Sequence, residues 1–171
     1  PLWDWGAFPE RDEDMPDHKI ASWAARRLSE DHGGPFMLSV GFFRPHVPMY
    51  APQKWFDLHP RDKIILPEAR ADEYDDVPRY GRQLSHAAAA PRHDYVVSLG
   101  EWEHGVQAYL ACVSFVDACV GRVLDALRAG PHADNTVVAL WGDHGFHLGD
   151  KLRWGKRSLW EEATRAPLMI A

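Results

Sequence analysis

Residues 101–130, EWEHGVQAYLACVSFVDACVGRVLDALRAG, restrict what this chain can fold into more than any other stretch. Val106, Tyr109, Leu110, Val113, Val116, Val120, Val123, Leu124 and Leu127 recur at steps of three and four, the spacing that lines one face of a long amphipathic helix. Gly130-Pro131 ends it, because glycine suits a helix exit and proline cannot continue the ladder. The apolar run NTVVALW at 135–141 follows and reads as a buried strand. FMLSVGF at 36–42 reads the same way, and APLMIA at 166–171 begins a third. A helix over about 17–31, capped by Asp17 and facing inward with Ile20, Trp23, Ala24 and Leu28, precedes the first strand. This order predicts an α/β fold with a mainly parallel sheet flanked by helices.

Composition narrows the function classes. A length of 171 residues fits one domain, and 46% hydrophobic with 26% charged residues is a globular balance. A net charge of −6 with no Lys/Arg run argues against a nucleic-acid partner. No stretch of about eighteen apolar residues offers a membrane span, and no secretory leader is visible. Cys112 and Cys119, seven apart on the long helix, read as small core residues. Between Arg44 and Gly100, prolines at 45, 48, 52, 60, 67, 78 and 91 leave room only for short elements, which suits a functional loop region. The eight tryptophans read mostly as core or rim packing.

Chemistry gathers in WGDHGFHLGDKLRWGK, residues 141–156, directly behind the second strand. Ligands of open α/β sheets collect beyond the carboxyl ends of strands, where Asp143-His144-Gly145 stands. An acid and an imidazole at adjacent positions reach one cation if the turn is sharp, and Gly142 and Gly145 permit that bend. A His144–His147 zinc clasp is disfavoured for want of a third ligand. Lys156, beyond a glycine-rich loop, is placed to meet an anion held by the metal. RPHVP at 44–48 sets His46 between prolines at the end of the first strand, a placement suited to general acid work or oxyanion contact. Arg44 is a candidate contact for a substrate carboxylate.

Three ordered segments carry a family resemblance: PFMLSVGFFRPHVPMYAPQKWFDL, AYLACVSFVDACVGRVLDAL and WGDHGFHLGDKLRWGKRSLWEEATRAPLMI. Together the chain resembles the type I sulfatases, in the branch of iduronate-2-sulfatase and choline-sulfatase. The resemblance implies an alkaline-phosphatase-like α/β domain and hydrolysis of a sulfate ester. It implies metal ligands at Asp143 and His144, and sulfate contacts at His46, on the leaving-group side, and Lys156. It implies a divalent cation, calcium by preference, although an imidazole ligand keeps manganese and zinc open. The family nucleophile is a formylglycine matured within Cys/Ser-x-Pro-x-Arg, and neither Cys112 nor Cys119 stands in that motif. Residues 1–171 therefore read as a middle segment of a sulfatase catalytic domain, inactive alone, whose substrate is a sulfated carbohydrate or small sulfate ester. Relatives are mostly periplasmic, extracellular or lysosomal. The rival readings are a phosphoester or phosphonate hydrolase of the same superfamily and a truncated, non-catalytic remnant.

Overall fold

The computed structural model describes residues 3–85 and 89–171. They form two compact units, one of the described residues within 3–63 and 107–136, the other of those within 64–106 and 137–171.

In the first unit, β1 (Trp5–Ala7) and β2 (Met49–Ala51) pair in parallel, Trp5 opposite Met49 and Ala7 opposite Ala51. Helix α1 (Pro16–Leu28) starts with proline in its first turn, where a missing N–H costs nothing. Its buried stripe is Asp17, Ala21, Ala24 and Leu28. The face is thus rotated from the expected one: Trp23 is exposed, and Asp17 lies inside the helix instead of capping it. Tertiary structure explains the rotation. Both Asp17 carboxylate oxygens accept backbone N–H groups, from Phe43 and Arg44, each at 2.9 Å. Helix α2 (Gln53–Asp57) adds the buried Phe56.

The long helix forms as α5 (Trp102–Ala129), following α3 (Arg79–Ser85) and α4 (His93–Ser98) of the second unit. From Gln107 onward it belongs to the first unit. Its core contacts come from Ala108, Ala111, Cys112, Phe115, Cys119 and Leu127, while Val113 of the expected stripe is exposed. Small side chains at steps of three and four bring a helix close to its neighbours. Gly130 shows how close: an added Cβ there would stand 2.9 Å from Leu28 O, at the end of α1. Both cysteines are buried and free, as expected.

The second unit holds two antiparallel ladders. β3 (Ala139–Trp141) pairs with β6 (Leu168–Ile170), and β4 (His147–Leu148) with β5 (Trp154–Gly155). The α/β class stands, but among the strands of the described residues only β1 and β2 pair in parallel. Residues 36–42 alternate between half-buried and exposed like a strand, yet pair with no strand among the described residues. The β3–β6 ladder is not buried either: Trp141 is 65% exposed, and Leu168, Met169 and Ile170 also face outward. An apolar run makes a strand only when a second strand or a covering layer meets it. Among the tryptophans, Trp154 alone is fully buried. No helix among the described residues is long and apolar enough to cross a membrane.

Candidate functional site

The 141–156 segment is a turn followed by a hairpin. β3 ends at Trp141, Gly142 N donates to Pro167 O at 3.1 Å, and Asp143 and His144 follow. His144 Nε2 lies 3.2 Å from Asp143 Oδ2, while Nδ1 lies 2.7 Å from Gly145 O. A carbonyl only accepts, so Nδ1 donates to it, and Nε2 is the nitrogen turned to the carboxylate. Two lone-pair atoms this close require a cation or a proton between them. A backbone carbonyl holding the far nitrogen is also how metal-ligating histidines are commonly oriented. The donor set fits a divalent cation, and Asp143, 83% exposed, is open to one.

Gly145 makes the turn possible, through close approach and not through an unusual φ. A Cβ there would lie 2.0 Å from Glu162 O and 2.8 Å from Arg165 O. Its N–H donates to Ala163 O at 2.8 Å, docking the turn onto α6 (Glu161–Thr164).

His147 forms no clasp with His144. It is fully buried, its Nδ1 on the Asp150 carboxylate and its Nε2 2.7 Å from Ser158 Oγ. With Glu162, the His147–Asp150 pair brings three potential ligand atoms within 4.8 Å of one another. Both ring nitrogens already have partners, so the imidazole acts here as a strut between Asp150 and Ser158. The sequence carried one weak signal of it, the i, i+3 spacing of His147 and Asp150.

The β4–β5 hairpin places Gly155 opposite His147, and Lys156 follows at once. Lys151 is taken up by Glu73 at 2.7 Å, whereas Lys156 has no carboxylate partner among the described residues. It borders a cavity of about 620 Å³ together with Asp76, Leu84 and Trp160.

His46 and Arg44 belong to the first unit, Asp143, His144 and Lys156 to the second. The Arg44–Pro45 and Val47–Pro48 peptides are cis. His46 N donates to Phe43 O at 3.0 Å, and its Nδ1 lies 2.7 Å from Val47 O, which leaves Nε2 as the outward nitrogen. The ring rests against Phe43 at 4.7 Å. Arg44 spends its Nε on Tyr50 O at 2.8 Å, tying the turn to β2.

A "Sulfatase" from Formosa agariphila is 49% identical over 168 residues, covering 98% of this chain and 33% of that protein. Iduronate 2-sulfatase of Mus musculus is 31% identical over 91% of this chain and 30% of its own length. The chain thus spans about a third of the curated relatives it matches. A phosphonate monoester hydrolase from Silicibacter pomeroyi superposes with a TM-score of 0.78 over 94% of this chain and 33% of that one; at 24% identity the likeness is one of fold. That fold is alkaline-phosphatase-like. The sulfatase family profile matches residues 5–171, and with the Asp-His-Gly turn inside that match, the chain belongs to the sulfatase family.

Proposed function

We propose that this chain forms part of the active site of a metal-dependent sulfatase that hydrolyses the ester of a sulfated sugar or small molecule. The observation that carries the reading is the Asp143–His144 contact, with the imidazole oriented by Gly145 O and its Nε2 turned to the carboxylate. Asp143 and His144 would hold a divalent cation, calcium by our reading, completed by oxygen ligands from elsewhere. Bound there, the ion supplies Lewis-acid polarisation of the sulfate.

The chain's own residues supply the rest. Lys156, without a carboxylate partner among the described residues, offsets sulfate charge as a compact cation. His46, protonated at Nε2, gives its proton to the bridging oxygen as the S–O bond breaks, so that the sugar or alcohol leaves neutral. Arg44 keeps its Nη groups for a substrate carboxylate. Neither cysteine is the nucleophile: burial pushes the Cys112 and Cys119 thiols up to about 12, and both lie on the core face of α5. Formylglycine from a segment outside these 171 residues fills that role in our reading.

The test is turnover of an aryl sulfate by the full-length protein, with calcium and after chelation. Turnover should need the ion, and Asp143→Ala should abolish it. Unchanged turnover by Asp143→Ala, with unchanged metal demand, would remove Asp143 from the ligand set.

A further inference from the structure

The turn that carries His46 is tied at several points. Asp17 takes the Phe43 and Arg44 amides, His46 N donates to Phe43 O at 3.0 Å, and the imidazole Nδ1 donates to Val47 O at 2.7 Å. These bonds fix the backbone and one ring nitrogen. A ring held by a single hydrogen bond still pivots about that bond, and the pivot sweeps Nε2, the outward nitrogen. Delivery of a proton to a leaving oxygen depends on that direction, since a misplacement of about 1 Å costs up to about 100-fold in rate.

Phe43 supplies the second point of contact. Its ring centre lies 4.7 Å from that of His46, with 35° between the planes. The Nδ1 bond runs in the plane of the imidazole, whereas this tilted stack meets its face, so the two contacts restrain different motions. The phenyl ring is held in turn. The Arg44 guanidinium lies 5.4 Å from its centre, where an aromatic face attracts a cation. Arg44 is itself anchored by Nε on Tyr50 O at 2.8 Å, which ties the platform to β2. Core burial does not account for the ring: Phe43 is 53% exposed, while Val47 and Met49 beside it are buried.

We propose that Phe43 is a positioning residue for His46: its ring stops the imidazole from turning about the Nδ1 bond and so aims Nε2 at the bridging oxygen of the substrate. The proposal rests on the reading of His46 as the acid and adds to it the side chain that gives the acid its direction.

The experiment compares Phe43→Leu and Phe43→Tyr in the full-length protein. Leucine keeps apolar bulk without a flat face, and tyrosine keeps the face. The first measurement is the His46 ring signal in NMR spectra of protein carrying isotope-labelled histidine, assigned by its loss in His46→Gln. Phe43→Leu should shift that signal, and Phe43→Tyr should leave it near its wild-type position. The second measurement is turnover. Phe43→Leu should lower kcat for an alkyl sulfate roughly tenfold with KM unchanged. An activated aryl sulfate, whose leaving group needs no proton, should lose much less, and Phe43→Tyr should restore the alkyl sulfate rate. The Tm of both variants should stay near that of the wild type, because the side chain is half exposed. A His46 signal unmoved in Phe43→Leu, equal losses on the two substrates, or a loss that tyrosine does not restore would overturn the proposal. The signal is read without turnover. A protein that hydrolyses no sulfate ester would thus defeat the sulfatase reading, while the spectrum still decides whether Phe43 holds the imidazole.

Discussion

Ser158 Oγ lies 2.7 Å from His147 Nε2, while the opposite ring nitrogen holds Asp150. The imidazole is thus a buried brace across the hairpin that ends at Lys156. Burial alone would push the Asp150 carboxyl up, but bonds from His147 and from Leu148 N outweigh it and hold it below the usual range. A carboxyl more acidic in the folded state adds stability that is present above its unfolded pKa, about 3.9, and lost as pH falls through the folded value. Asp150→Asn should therefore be less stable than wild type at neutral pH. The gap should narrow below about pH 4, in chemical denaturation curves collected across pH. A gap independent of pH would assign Asp150 a packing role only.

Gly145 tolerates no side chain. The obstacle to a Cβ is Glu162 O at 2.0 Å, a backbone atom that cannot rotate aside. Gly145→Ala should cost roughly 3 kcal/mol or more, as overpacking against fixed neighbours does. It should also weaken calcium binding by the full-length protein. Denaturant melts and calorimetric calcium titration check the two effects separately.

Asp17 sets the turn that carries His46. Asp17→Ala leaves the part-buried Phe43 and Arg44 amides without their acceptor, at a cost of about 2 kcal/mol. Asn accepts with one oxygen only and should recover less than half of that loss. Hydrogen exchange at amides 43 and 44 should accelerate in both variants; unchanged protection there would detach Asp17 from the turn.

His46→Ala in the full-length enzyme should lower turnover of an alkyl sulfate by about 100- to 10,000-fold. An activated aryl sulfate, whose leaving group needs no proton, should lose far less. Equal losses on the two substrates would assign His46 to sulfate binding without proton transfer.

Local chemistry was readable and tertiary compensation was not. The period of α5 and its Gly-Pro stop lie in the chain itself. So does the turn after β3, where Asp143 and His144 are neighbours that meet at 3.2 Å. Asp17 looks like a cap by position, but its partners are 26 and 27 residues away and no local rule points to them. The 36–42 run has strand composition, yet a ladder needs a second strand, which composition does not reveal. The bracing role of His147 was hidden for the same reason: hairpin register decides what it faces.

The support beneath the Asp143–His144 turn comes from the main chain of α6. Gly145 meets the carbonyls of Glu162, Ala163 and Arg165, whereas the Glu161 and Arg165 side chains point into solvent. Drift of residue identity at 161 and 165 leaves that seat untouched, but a single inserted residue displaces it. An alignment of relatives would score those positions as permissive, though in geometry they are among the least forgiving places in the molecule.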